Sequence, residues 1–84
     1  MDTNEIKKFV YDKIIEVNDE CELTDISLLL DEEILDSVSI LYLVTELENE
    51  YGIQIPLEDV VEENFKDIIH IADYIVSIAS KKDV

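Results

Sequence analysis

Apolar residues recur at helical spacing in three stretches of the chain, and the intervals between them are as informative as the stretches. Asp2-Thr3-Asn4-Glu5 offers an N-cap and an acid for a first turn. Ile6, Phe9, Val10, Ile14 and Val17 then follow along one stripe, which predicts a first helix over residues 3–17. Asn18-Asp19-Glu20 breaks the pattern. A second stripe, Ile40, Leu43, Val44, Leu47 and Tyr51, predicts a helix that starts at Asp36-Ser37 and runs to Tyr51. Gly52 suits the left-handed residue that ends it. Ile53-Gln54-Ile55-Pro56 reads as extended, because a proline disfavours helical geometry in the residue before it. A short third helix is expected from Leu57 to Glu62, then a turn at Glu63-Asn64-Phe65-Lys66 that tucks Phe65 inward. Asp67 is an N-cap candidate for the last helix, whose stripe is Ile68, Ile71, Ala72, Ile75, Ile78 and Ala79.

The connection from Asn18 to Asp36 is long for so small a chain. It holds Leu23, Ile26, Leu28, Leu29, Leu30, Ile34 and Leu35, so it is expected to lie across the core. A crossover of that length would let the second helix run parallel, or nearly so, to the first. The pattern therefore predicts an all-α fold of three main helices and one short one, with residues 1–84 as a single domain.

The outward side of the second helix is less ordinary. Ser37, Leu41, Thr45 and Glu48 form the line opposite the apolar stripe, with Val38, Tyr42 and Asn49 beside it. Apolar side chains outside the core stripe, bordering one serine, make a plausible docking surface. A helix start also leaves backbone N–H groups unpaired at the positive end of the macrodipole, which suits a phosphate-linked group on Ser37. On spacing alone, Asp36 or Ser37 reads first as an N-cap and nothing more, as most such residues at helix starts are.

Charge narrows the partners. The net charge is −16, there is no arginine, and sixteen acids but no lysine lie from Ile14 to Phe65. That field repels nucleic acid and anionic membrane and attracts basic protein surfaces. A single cysteine, Cys21, excludes an internal disulfide, and with His70 it is too few for a zinc site. No apolar run approaches a membrane span, and the N-terminus lacks the features of a signal peptide, so a cytoplasmic location is expected. Calcium loops starting at Asp19 or Asp31 fail, since Thr24 or Asp36 would occupy the glycine position and Leu30 or Tyr42 the final glutamate. The sole histidine, His70, has no motif linking it to Ser37 or Cys21, so the chain is not expected to be an enzyme.

The run Glu32-Glu33-Ile34-Leu35-Asp36-Ser37-Val38, then Leu43 and Leu47 to Pro56, resembles the acyl carrier protein family. Ile68 to Ile75, with its Ala-Asp-Tyr-Ile, is similar to that family's last helix, and the likeness covers essentially the whole chain. The resemblance implies a small carrier-type four-helix bundle. It also implies that Ser37 receives 4′-phosphopantetheine from coenzyme A through a phosphopantetheinyl transferase. Asp36 would help that transferase engage the carrier, and Val38 would be the apolar contact after the serine. Leu41, Tyr42, Thr45 and Glu48 are the further candidates for a partner surface. The expected partners are the transferase, a loading enzyme, and acyl-using enzymes with basic surfaces, acting on a monomeric carrier.

Two departures are visible. The glycine that many relatives carry upstream of the Asp-Ser pair is absent, with Glu33, Ile34 and Leu35 in that stretch. Ser39 and Tyr42 stand where fatty-acid-synthesis carriers often have acids, and the chain looks nearer to D-alanyl, aminoacyl or specialised-metabolite carriers. The alternative to a carrier is an unmodified acidic interaction module of the same fold.

Overall fold

A computed structural model describes residues 2–19, 23, 24 and 26–82. Three fifteen-residue helices dominate it: α1 (Thr3–Val17), α2 (Ser37–Tyr51) and α4 (Ile68–Lys82), with a short α3 (Glu62–Phe65) before the last. Each long helix begins where a carboxylate can take up a first-turn N–H. Asp2 accepts from Asn4, Asp36 from Ser39, and Asp67 from His70. Gly52 ends α2 at φ 61°, and the carbonyl of Glu48 accepts both the Gly52 and Ile53 N–H groups.

The three apolar stripes meet in one core. Ile6, Val10 and Ile14 of α1, Ile40, Leu43, Val44 and Leu47 of α2, and Ile68, Ile71, Ala72 and Ile75 of α4 are all buried. Phe9 is half-buried, its ring edge-on to Tyr51 at 5.6 Å between centroids. Val17, expected in the stripe, is 42% exposed, because α1 ends there and Asn18 turns the chain away.

The long connection does cross the core, through Leu29, Ile34 and Leu35, which are buried. Ile26 does not take part and is 70% exposed. Cys21 lies outside the described residues.

The expected parallel packing of α1 and α2 is corrected. As α1 advances through Phe9, Lys13 and Glu16, its partners on α2 recede through Tyr51, Glu46 and Tyr42. The two helices are antiparallel. The reason lies in the connection, whose ends are drawn together by Asn18 donating from Nδ2 to the Ile34 carbonyl at 3.3 Å. The described part of the connection, residues 26–33, therefore lies over the core rather than returning to the start of α1.

The third helix is displaced from its expected place. Pro56 (φ −63°, ψ 145°) leads into a single 3-10 turn at Leu57–Asp59, and the helical turn falls at Glu62–Phe65. Asn64 Nδ2 donates to the Asp59 carbonyl at 2.9 Å, which ties the 3-10 turn to α3, and Tyr74 of α4 donates its hydroxyl to Asp59 Oδ2 at 2.6 Å. Winding residues 62–65 is what carries Phe65 to full burial, against Tyr74 at 5.8 Å.

Candidate functional site

Ser37 is the first residue of α2, and the chain leading to it is held in several places. Leu28 and Glu32 bond reciprocally: Leu28 N–H donates to Glu32 Oε2 at 2.7 Å, and Glu32 N–H to the Leu28 carbonyl at 2.9 Å. Glu33 takes the left-handed conformation, with φ 56°, which lets the chain reverse so that Leu35 N–H reaches the Leu29 carbonyl at 2.9 Å. Leu29 N–H in turn donates to the Lys66 carbonyl, joining this loop to the segment between α3 and α4. With Ile34 and Leu35 buried on either side of these bonds, the backbone arrives at Asp36 already placed.

Asp36 is extended (φ −98°, ψ −176°), and its Oδ1 accepts the Ser39 N–H at 2.8 Å. Its carbonyl accepts the Ile40 N–H, the first intrahelical bond. The Ser39 N–H, and then the Ser39 hydroxyl, hold the Asp36 carboxyl below its ordinary range. Ser37 itself is exposed, and Val38 after it is 75% exposed, so the lip of α2 is open to another molecule.

The remaining candidates divide into two groups. Leu41 (48% exposed) and Tyr42 (37% exposed) lie one turn beyond Ser37 and Val38 on the outward face. Thr45 is exposed there too, its hydroxyl bonded to the Leu41 carbonyl at 2.9 Å. Glu48 is half-buried instead, and its Oε2 accepts the Ile55 N–H at 2.8 Å. Its carboxylate holds the extended segment that follows α2.

Three neighbours of this face, Glu16, Lys13 and Glu46, carry no signal in the sequence. Tyr42 donates its hydroxyl to Glu16 Oε2 of α1 at 2.9 Å, and Lys13 lies 3.5 Å from Glu16 and 3.7 Å from Glu46. The bond to Glu16, and after it the Glu46 carboxylate, push the Tyr42 hydroxyl up to about 12. No local pattern announces a pair 26 residues apart. Only the antiparallel packing of α1 on α2 brings them together.

His70 is engaged elsewhere. Its Nδ1 lies 2.7 Å from Asp67 Oδ1 at the start of α4, in an open groove lined also by Glu62, Glu63 and Lys66. Among the described residues, no three His, Cys, Asp or Glu side chains gather as a metal site, and no helix is long and apolar enough to cross a membrane.

Fold and site together define a class: a small, strongly acidic helical domain offering a serine at the start of its second helix. A family model described as the phosphopantetheine attachment site matches residues 13–75. Two proteins named acyl carrier protein, one from Brachyspira hyodysenteriae strain WA1 and one from the same species without that strain designation, are each 35% identical over 72 residues. The match covers 86% of this chain and 88% of each relative. The chain belongs to the acyl carrier protein family, and its cofactor is 4′-phosphopantetheine.

Proposed function

We propose that Ser37 is the residue that carries the arm, and that the chain delivers an acyl or aminoacyl group to partner enzymes. The observation that carries this reading is an exposed serine opening α2, beside a capping aspartate, inside the matched segment. When attached, 4′-phosphopantetheine supplies a terminal thiol that holds the cargo as a thioester. The chain's own residues prepare that attachment. Asp36 starts α2 so that the Ser37 hydroxyl faces solvent, and the positive end of the helix tolerates a phosphodiester. Acids at Asp31, Glu32, Glu33 and Asp36 discourage a phosphate from settling back onto the loop, so the arm extends outward. A phosphopantetheinyl transferase, a loading enzyme and acyl-using enzymes supply the catalysis.

Incubation with coenzyme A and a broad-specificity transferase, read by intact mass, tests the assignment. Wild type and Ser39→Ala gain one arm, and Ser37→Ala gains none. A Ser37→Ala protein that is still modified, or a wild type that several such transferases leave unmodified, would overturn it.

A further inference from the structure

Four carboxylates lie from Asp31 to Asp36, and two of them are bonded to backbone N–H groups. Asp36 Oδ1 takes the Ser39 N–H just after the serine, and Glu32 Oε2 takes the Leu28 N–H at 2.7 Å. The first bond caps α2 and belongs to the site already described. The second lies upstream, within the loop itself.

Its position gives the Glu32 bond a task. The chain must reverse between Glu32 and Leu35 to enter α2, and it does so with Glu33 at φ 56°, a conformation that favours glycine. A turn built on a disfavoured residue stays closed only if the bonds around it hold. Those bonds form a short series. The Glu32 N–H and the Glu32 carboxylate both close onto Leu28, Glu33 N–H reaches the Leu30 carbonyl at 3.2 Å, and Leu35 N–H reaches the Leu29 carbonyl at 2.9 Å. Leu29 is itself fixed, fully buried and with its N–H on the Lys66 carbonyl at 3.0 Å. The Glu32 carboxylate is the one side-chain group in that series, and its charge strengthens the bond it accepts. Where a glycine would hold the reversal unaided, this chain has a glutamate at 33 and a bonded glutamate at 32.

Ser37 depends on this turn more than the rest of α2 does. It is the first helical residue, and its own N–H has no partner within the helix. Its place is set by the Asp36 cap and by the chain arriving through Leu35.

We propose that Glu32 is a positioning residue for arm attachment, holding the reversal at Glu33 closed through the Leu28 N–H so that the Ser37 hydroxyl is presented in one place. In the reaction, the Ser37 oxygen bonds to the phosphorus that carries pantetheine in coenzyme A. The bond from that phosphorus to its bridging oxygen breaks, adenosine 3′,5′-bisphosphate leaves with the electron pair, and the serine proton passes to a base of the transferase. Glu32 touches none of the reacting atoms. It raises the fraction of bound carriers aligned for the displacement. The inference rests on Ser37 being the attachment residue and adds a residue that governs how fast it reacts.

The test compares wild type with Glu32 variants, using coenzyme A and a broad-specificity phosphopantetheinyl transferase. The readouts are the single-turnover rate at saturating carrier and KM for the carrier. Glu32→Ala removes the bond and lowers the rate about tenfold, with KM within about twofold of wild type. Glu32→Gln removes the charge but keeps an oxygen that accepts the Leu28 N–H, and it restores the rate to within about twofold of wild type. Amide exchange followed by NMR reads the turn without the transferase: Leu35 N–H exchanges about tenfold faster in Glu32→Ala than in wild type or Glu32→Gln. Both variants keep wild-type helicity by circular dichroism, since Glu32 is exposed. A Glu32→Ala protein with wild-type rate or wild-type Leu35 exchange would overturn the inference. So would Glu32→Gln as slow as Glu32→Ala, or a rise in KM alone, because either would mean that the charge acts on the transferase. A wild type that is never modified fails the assignment of Ser37 instead, and the inference with it.

Discussion

Glu33 shows what a single residue contributes to this site. Its φ of 56° lies in the left-handed region, where a side chain costs about 1 kcal/mol that glycine does not pay. The chain keeps a glutamate there because the turn is secured from both sides, by the Glu32 side chain on Leu28 N–H and by Leu35 on Leu29. Glycine would relieve the strain but lose more freedom on folding, and the two effects nearly offset. Glu33→Gly is thus expected to change stability by less than about 1 kcal/mol, towards greater stability. A β-branched Glu33→Val should lose about 1–2 kcal/mol, since a branched Cβ fits this conformation worst. Urea unfolding of both variants measures the difference, and a valine variant as stable as wild type would show that the turn is not strained. At Ser37 the same scale explains why the Asp-Ser pair is legible in the sequence: a cap and the residue after it act through neighbouring atoms.

Helix boundaries are legible for the same local reason. Asp2, Asp36 and Asp67 each stand within a turn or so of the first residue of an apolar stripe, and all three cap the helix that follows. The region from Leu57 to Phe65 resisted reading because contacts far along the chain decide it, above all Tyr74 on Asp59 and the burial of Phe65. Likewise Glu48 looked like part of an outward line, yet Ile55 seven residues later claims its carboxylate. Among the caps, Asp67 makes the sharpest prediction. Its side chain is only 8% exposed. Burial pushes its carboxyl up, but the His70 N–H, the His70 ring, and the charges of His70 and Lys66 outweigh this, so the folded value lies below the ordinary one. The stability it adds is therefore present above the unfolded value, near pH 4, and is lost as pH falls through the lower folded value. Asp67→Asn should keep much of the cap but flatten this acid limb of the stability curve. Asp67→Ala should lose about 1–2 kcal/mol at neutral pH through an uncapped α4. Thermal melts across the acid range read both effects, and an unchanged acid limb in Asp67→Asn would remove Asp67 from the account.

For the whole molecule, the direction of α2 departs from expectation because a long connection can return along the bundle or close over its own starting point. Asn18 on Ile34 selects the second course, and that choice places Tyr42 against Glu16. It also sets α1, which carries three of the six lysines, beside the acidic middle of the chain. The relief is small. Lys13 reaches Glu16 and Glu46 only at 3.5 and 3.7 Å, and partly exposed pairs of that kind contribute little. Thirteen of the sixteen acids from Ile14 to Phe65 lie among the described residues and are confined in a small volume, whereas unfolding lets them separate. Repulsion between them is a cost of folding that screening removes. Raising sodium chloride from about 0.02 to about 0.5 M should therefore raise the melting temperature by roughly 5–10 °C. The urea midpoint should rise with it, leaving the slope unchanged, because salt alters the energy of the folded state and not the surface it buries. A melting temperature that fell with salt would mean that attractive pairs outweigh the repulsion. Substituting Lys13→Gln would then reproduce the fall at low salt, whereas under the repulsive account it shifts the curve only slightly and leaves its upward slope in place.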